Sequence, residues 1–342
     1  MVSRTQLISA MLSIDNIDDN VYRSEGPHIG GIVGPNRLFG GYIAAQVYEA
    51  VRNYKDKIGD ENVIFSMHYN FVSAGDPRKL IDIKINKVEN VYAVDVDHEN
   101  KNIGLAHVKV DSKFMESPKY PKNVLGLTSI PNIQTLMSRI SNEKTKKGYE
   151  FLFRHFVFEI RPYHMIRAPA PGDHRVVFYA RLSPDCIDHV REDGGMVAVV
   201  ALSDFFVLQS VQNAITESGL KMTTGASLHH KIYFHQEHVE AIQWFLVETS
   251  TEIATGNKAK IFGSVFDSNK NCVVSFIQEA YVVPQVVEKS EDNPPHSKKA
   301  TSVRSLSRLL VLYALALRCP PLHVGKHAEV LTDAFRVDER FI

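Results

Sequence analysis

The sequence predicts an α+β protein of two similar halves, each a helix followed by an antiparallel meander of strands. Residues 196–215 are apolar on almost every side of a helical wheel, which is typical of a buried helix. Several runs alternate apolar and polar residues, most clearly Leu80–Val88, and this alternation is typical of half-buried strands. The order of these elements is repeated along the chain, which indicates an internal duplication with pseudo-twofold symmetry.

Length and composition set the outer bounds of the interpretation. A chain of 342 residues accommodates two ordinary domains, each with a sizeable core. Lysine plus arginine and aspartate plus glutamate both number 39, so no bulk field attracts nucleic acid or anionic lipid. Three widely spaced cysteines, Cys186, Cys272 and Cys319, favour a reducing intracellular compartment over a disulfide framework. The first residues contain no long apolar run, so no secretory signal is expected.

The first half begins with a polar N-terminal lead and a glycine-rich loop at residues 30–39. Apolar residues then recur at helical spacing from Gly40 to Val51, which predicts a helix with one packed face. A turn is expected at His98–Asn102, between the last two strands. The predicted strands are Val63–Val72, Leu80–Val88, Tyr92–Asp97 and Ala106–Phe114.

The second half places its helix at 196–215, followed by a histidine-containing strand and another meander. The predicted strands of this half are Phe151–Ile160, His174–Arg181, Leu228–Phe234, Trp244–Thr251, Lys260–Phe266 and Cys272–Val283. The domain boundaries that follow are 1–120 and 151–285, joined by a linker with a short helix at 121–150. Residues 286–342 are polar in their first part and predict a divergent, largely disordered tail. The apolar run Leu309–Leu317 is too short to span a bilayer.

Asp204 is the only charged residue of the segment 196–215. A buried carboxylate must find partners or change its pKa, so this residue is a candidate general base. The alternative is that Ser203 and Asp204 cap a helix that begins at Phe205. A membrane-spanning interpretation is weaker, because Asp204 interrupts the apolar run.

Gln278 lies on the inward face of the last strand. Val274, Phe276, Ala280 and Val282 share this face at a period of two, so the amide of Gln278 must find a partner inside the protein. Asp204 is one candidate partner and a backbone group is the other.

Three other kinds of site are disfavoured. Ser227 lacks the second glycine of a nucleophile elbow, so no serine-hydrolase triad is expected. No glycine fingerprint of a nucleotide site is present. A metal site is not expected either, because the histidines have no HExxH spacing and neighbours on a strand point to opposite faces; these histidines are His229, His230, His235 and His238.

Taken together, several short motifs resemble acyl-CoA thioesterase II, the family of the bacterial enzyme and the peroxisomal acyl-CoA thioesterases. The resemblance extends over roughly residues 5–284. In the first half its motifs are Gly40–Gln46, Ser66–His68 with Phe71, and Gly75–Pro77. In the second half they are Phe158–Pro162, Leu202–Phe205, Ala226–His230, Phe234–His235 and Gln278–Glu279.

The resemblance implies a double hotdog fold and hydrolysis of fatty acyl-CoA to free fatty acid and CoA, without metal or other cofactor. It implies that Asp204, Ser227 and Gln278 activate the attacking water. The substrate-binding residues expected from the same motifs are Gly40, Gly41, His68 and His230. A backbone N–H near Gly41, at the start of the first helix, is the expected donor to the thioester carbonyl.

This sequence departs from the family pattern at a few positions. His229, Lys231 and Tyr42 replace the usual aspartate, small residue and glutamine, and a Val88–Asn90 turn replaces Arg-Asp-Gly. Simple alternation also places Ser227 and His230 on opposite faces of their strand, so a role for Ser227 requires a β-bulge.

The rival interpretation is a non-catalytic acyl-CoA-binding protein that kept the fold and lost turnover. A hotdog hydratase is a weaker alternative, because no hydratase-type His/Asp pair is evident. The expected partner is acyl-CoA, with no nucleic acid and no transmembrane segment, and a homo-oligomer is compatible with the fold. The expected location is the peroxisomal matrix or the cytosol, although Arg340–Ile342 is not a Ser-Lys-Leu type signal.

Overall fold

The structure of the protein is a computed structural model. Predictions for the tail beyond residue 286 lie outside the part of the chain that it describes, as do those for the 121–150 linker apart from isolated positions. The described residues are 3–30, 37–99, 101–112, 127, 130–132, 135, 157–163, 172–190 and 194–286.

The described residues of the first half form two helices and six strands. Its helices are α1 (Arg4–Leu12) and α2 (Gly40–Ile58). Its strands are β1 (Asp15–Asp18), β2 (Val21–Ser24), β3 (Val63–Phe71), β4 (Ile81–Val88), β5 (Val91–His98) and β6 (Lys101–Asp111). The N-terminal lead contains α1 and the β1–β2 hairpin, for which no elements were predicted from the sequence. A capping box between Ser3 and Gln6 starts α1, and this local signal is visible in the sequence.

Helix α2 continues beyond its predicted end at Val51. Lys55 and Lys57 lie in its last turn, where cations interact favourably with the helix dipole. Gly59 ends the helix in the left-handed conformation, at φ 67°. The helix therefore has an apolar half inside the protein and a more polar half that reaches its surface.

The described residues of the second half form three helices and six strands. Its helices are α3 (Pro184–Ile187), α4 (Gly195–Leu202) and α5 (Val207–Glu217). Its strands are β7 (Phe158–Pro162), β8 (Val176–Leu182), β9 (Leu220–Phe234), β10 (Phe245–Thr255), β11 (Lys258–Phe266) and β12 (Cys272–Val286). The expectation of one continuous helix over 196–215 is wrong, since residues 203–206 separate α4 from α5.

The twelve strands form one antiparallel sheet in the order β1-β2-β4-β5-β6-β3-β9-β12-β11-β10-β8-β7. Strands β3 and β9 pair at its centre and join the two halves. From this centre outward, β3-β6-β5-β4-β2-β1 on one side corresponds to β9-β12-β11-β10-β8-β7 on the other. This arrangement confirms the predicted double hotdog fold, with both halves contributing to one continuous sheet.

The core lies between the helices and one face of the sheet. Ile81, Ile83 and Ile85 of β4 are fully buried, as their alternation predicts. Helix α2 contacts α4, so the two halves also meet through their helices. This contact brings the start of α2 to the break between α4 and α5.

Candidate active site

Asp204 lies in the break between α4 and α5. The helical hydrogen bonds tighten there to three-residue spacing, with the N–H of Asp204 donating to the Ala201 oxygen at 3.3 Å. Phe206 then adopts a left-handed conformation at φ 56°, which is unfavourable for a residue with a Cβ. Helix α5 has no side-chain cap, so the alternative role of Ser203 and Asp204 as capping residues is wrong. The break instead directs the carboxylate of Asp204 away from its own helix.

The Asp204 carboxylate accepts two hydrogen bonds from distant parts of the chain. The side-chain amide of Gln278 donates to Oδ1 at 2.6 Å. The backbone N–H of Gly41 donates to Oδ2 at 2.8 Å. The expected pairing of Asp204 with Gln278 is thus observed. Of the backbone N–H groups near Gly41 that were expected to serve the thioester carbonyl, that of Gly41 itself is directed at Asp204.

Burial controls the proton affinity of Asp204. Removal from water raises the pKa of its carboxyl from the ordinary 3.8 to about 6, against hydrogen bonds from Gln278, Gly41 and Ser227 that lower it. Asp204 as a whole residue is 7% exposed. A carboxylate with a pKa of about 6 is largely ionised at neutral pH, yet it is a stronger base than an ordinary aspartate.

Two glycines allow helix α2 to approach this carboxylate. A Cβ at Gly40 would lie 2.9 Å from Oδ2 of Asp204, and a Cβ at Gly41 would lie 2.5 Å from the backbone oxygen of Ala201. Both contacts are shorter than real Cβ atoms make. The glycine pair is therefore required by the close packing of α2 on α4 and on the break after it.

Gln278 lies inside the protein as its strand phase predicts. It is fully buried, together with Val274, Phe276, Ala280 and Val282. Across the ladder it stands opposite His230 of β9. The amide thus bonds Asp204 from a rigid central strand.

Ser227 reaches the same side through the β-bulge that the sequence requires. His229 pairs with Glu279 and Ser227 pairs with Ala280, so Leu228 is the extra residue. Because Ala280 faces inward, Ser227 does too. Its hydroxyl donates to Oε1 of Gln278 at 3.4 Å. The three predicted catalytic side chains therefore form one connected cluster.

A cavity of about 280 Å³ opens beside this cluster. Asp204, Ser227 and Gly40 line it directly, at the junction of the two halves. Arg37 is the one lysine or arginine among the described residues that line it. Most of its remaining wall is apolar and consists of Leu38, Phe39, Ile43, Phe71, Val72, Ala74, Phe206, Val207, Leu208, Ala226 and Leu228.

His68 and His230 do not line this cavity. His68 stands between Met67 and Tyr69, both fully buried, so its ring points to the opposite face of the sheet. There it packs edge-on against Tyr233. His230 is fully buried, with Nε2 3.2 Å from the hydroxyl of Ser203. The structure therefore does not bring either histidine into the expected substrate contact.

The departures from the family pattern lie outside the catalytic cluster. His229 is exposed and its Nδ1 lies 2.7 Å from Oδ1 of Asn70. Lys231 is exposed on the same outer face. Tyr42 is buried on α2, where its hydroxyl donates to the Pro27 oxygen at 3.3 Å. None of the three bonds Asp204 or lines the cavity.

Sequence reasoning missed two groups of residues around the site. One is the wall supplied by Phe206, Val207 and Leu208, which depends on the helix break. The other is Ser203, whose hydroxyl meets His230. The sequence signal for Ser203 is that it is itself a second polar residue, next to Asp204, in an otherwise apolar segment.

Within the described ranges, no group of three histidine, cysteine, aspartate or glutamate side chains is arranged to hold a metal ion. One helical stretch, Gly195–Glu217, is long and apolar enough to cross a membrane. However, 94% of its apolar window is buried inside the protein. This burial is typical of a core helix and agrees with the position of α4 and α5 beneath the sheet.

Comparison with solved structures identifies the fold. The acyl-CoA thioesterase II TesB2 of Mycobacterium marinum is 18% identical, with a TM-score of 0.59 over 84% of this chain and 99% of that chain. The TesB protein of Mycobacterium avium subs paratuberculosis is 19% identical, with a TM-score of 0.58 over 81% of this chain and 98% of that chain. A hot dog fold protein of Alicyclobacillus acidocaldarius is 12% identical, with a TM-score of 0.61 over 82% and 98%. At these identities the likeness establishes the hotdog fold.

The sequence of the second half matches a known family model. Residues 139–282 match the family model of the acyl-CoA thioesterase C-terminal domain. This segment is therefore similar to the acyl-CoA thioesterase C-terminal domain, and the predicted resemblance to acyl-CoA thioesterase II is confirmed. The family that this segment resembles is one of thioester hydrolases. No curated protein sequence is similar enough to the chain to count as a match.

Proposed function

We propose that this protein hydrolyses fatty acyl-CoA to free fatty acid and CoA, using a water molecule activated by Asp204. The observation that carries the proposal is the Asp204 carboxylate itself. It is buried beside an apolar cavity, bonded by Gln278 at 2.6 Å, and has a pKa raised to about 6. A general base of this strength is well matched to proton transfer near neutral pH.

In the proposed reaction, Asp204 accepts a proton from water as the water oxygen attacks the thioester carbonyl carbon. The resulting tetrahedral intermediate collapses, the carbon–sulfur bond breaks, and Asp204 returns the proton to the leaving CoA sulfur. The products are the carboxylic acid and CoA thiol, so atoms and charge balance. Asp204 thus serves as the base in the first step and the acid in the second.

Gln278 and Ser227 would orient the water and the carboxylate. The Gln278 amide donates to Asp204 and accepts from Ser227, so it fixes both groups relative to each other. The water would lie between Asp204 and the Ser227 hydroxyl, both of which line the cavity. Because the Gly41 N–H is used by Asp204, we assign stabilisation of the carbonyl oxygen to the Gly40 N–H at the start of α2.

The cavity supports an apolar acyl group as the substrate. Its wall is mainly aliphatic and aromatic, and Arg37 adds a positive charge suited to the phosphates of CoA. The buried free thiols of Cys186 and Cys272 support a reducing intracellular compartment, so we propose the peroxisomal matrix or the cytosol.

Free thiol release from a panel of acyl-CoAs, from acetyl-CoA to palmitoyl-CoA, tests this function. We expect turnover with an apolar acyl chain, and one atom of heavy oxygen from labelled water in the acid product. Acyl-CoA binding measured by calorimetry without thiol release would instead indicate the non-catalytic binding protein. Asp111→Asn, which changes an exposed carboxylate, is the matched control for Asp204→Asn.

A further inference from the structure

Ser203 and His230 form a buried hydrogen-bonded pair behind the proposed catalytic cluster. Both side chains are fully buried, and Oγ of Ser203 lies 3.2 Å from Nε2 of His230. The Ser203 hydroxyl also donates to the Val200 oxygen at 2.7 Å. The pair connects the end of α4 to the central strand β9.

The hydrogen bonds determine which nitrogen of His230 carries the proton. A serine hydroxyl has one proton, and that of Ser203 is used by Val200. His230 must therefore donate from Nε2 to the serine oxygen. Burial lowers the pKa of His230 to about 3, so the ring is neutral and its Nδ1 is unprotonated. The imidazole is thus a fixed donor directed at the helix break.

The pair also lies next to both ends of the Asp204–Gln278 hydrogen bond. Ser203 precedes Asp204 in the chain, and His230 stands opposite Gln278 in the ladder. We propose that Ser203 and His230 are positioning residues that hold the helix break in register with strand β9, and so hold Asp204 against Gln278 and Gly41. This proposal rests on the proposed function of Asp204 as the base.

A matched serine separates this role from ordinary core packing. Ser210, on α5, is also fully buried, its hydroxyl donates to the Val207 oxygen at 2.7 Å, and it lies 2.8 Å from the Thr251 hydroxyl of β10. Ser203 and Ser210 therefore both donate to a backbone oxygen three residues earlier and contact a side chain of a strand. Only Ser203 adjoins Asp204.

We expect Ser203→Ala to lower kcat at least about tenfold, because a carboxylate that loses its orientation transfers protons poorly. KM should change less than twofold, since Ser203 does not line the cavity. Weaker bonds to Asp204 should also move the acidic limb of the pH–rate profile upward by about half a pH unit. Ser210→Ala should change neither kcat nor the limb. Equal effects of the two variants, or no effect of Ser203→Ala, would overturn the proposal.

His230→Gln and His230→Phe test the other partner. The glutamine amide can replace the Nε2 donor and should restore at least part of kcat, whereas phenylalanine should match Ser203→Ala. Combining His230→Phe with Ser203→Ala should add little, because both remove one interaction. Full additivity, or equal rates for the glutamine and phenylalanine variants, would contradict the pairing.

Titration of the Asp204 carboxyl carbon by NMR separates this proposal from the proposed function. Ser203→Ala should raise the Asp204 pKa and Ser210→Ala should not. A wild-type protein without thioesterase activity would refute the proposed function, yet this pKa shift would still support the positioning pair. Active wild type with an unchanged Asp204 pKa in Ser203→Ala would refute the pair alone.

Discussion

The two halves of the sheet have the same strand order but different chemistry at equivalent positions. Across the central pairing, Met67 stands opposite Ile232 and Tyr69 stands opposite His230. The paired residues are centred on His68 and Lys231. A pseudo-twofold rotation about this centre therefore superimposes Met67 on His230. The bulges coincide as well, because Phe65 of β3 then superimposes on Leu228 of β9.

This equivalence shows where the first half lacks a catalytic cluster. Ile64 occupies the position of Ser227, and Val108, which pairs with Met67, occupies that of Gln278. Ile64 and Val108 are buried in the apolar core. The first half contributes the glycine pair and part of the cavity wall instead. A duplicated fold thus carries the Asp204 cluster in one half, while the matching positions in the other half are apolar.

Removing the base from the second half should have the largest effect. Asp204→Asn preserves the shape of the side chain but cannot accept a proton, so we expect kcat to fall about 10²- to 10⁴-fold. Thiol release per folded molecule measures the loss, and circular dichroism checks the fold. Near-normal turnover in the folded variant would contradict the assignment of Asp204.

The raised pKa of Asp204 should also affect stability. Its folded pKa of about 6 lies above the ordinary 3.8, so the native state binds the proton more tightly and loses stability as pH rises from about 4 to about 6. Compared with Asp204→Asn, which lacks this group, wild type should lose about 2 kcal/mol between pH 4 and pH 7. Urea unfolding of both proteins at several pH values measures the difference. A constant difference across this range would show that Asp204 has an ordinary pKa.

Placing the polar residue in the first half should cost stability without affecting activity. At Val108→Gln a buried amide would face Met67 and Tyr92, whose hydroxyl already donates to Asp60. We expect a loss of about 1–3 kcal/mol in the free energy of unfolding. Specific activity per folded molecule should stay at the wild-type level. A stable Val108→Gln protein would mean that the first half tolerates polar residues as well as the second.

Placing an apolar residue in the second half should have the opposite pattern. Gln278→Leu suits the surrounding apolar face, so stability should change little. We expect kcat to fall about tenfold or more, equivalent to about 1.4 kcal/mol of barrier. Thermal melting and single-turnover kinetics on the same preparation measure the two effects. A destabilised variant with full specific activity would make Gln278 a purely structural residue.

Much of the fold could be predicted because its signals are local. Alternation over Leu80–Val88 and Cys272–Val283 identified strands and the inward face of Gln278. The lengths of individual helices and strands were predicted less well, since β9 begins at Leu220 and α2 ends at Ile58. At those ends the side chains are partly exposed, so apolar periodicity weakens while the backbone continues its pairing.

By itself, the sequence determined the duplicated α+β architecture, the inward direction of Gln278 and the isolation of Asp204 in an apolar helix. These features follow from side-chain periodicity and from the cost of burying a charge. Only the tertiary structure decided that the helix breaks at residues 203–206 and that the Gly41 N–H serves Asp204. It also decided that His68 faces away from the cavity and that His230 bonds Ser203. Such contacts join residues as far as 163 positions apart, and no local pattern encodes which distant donor a buried acceptor will meet.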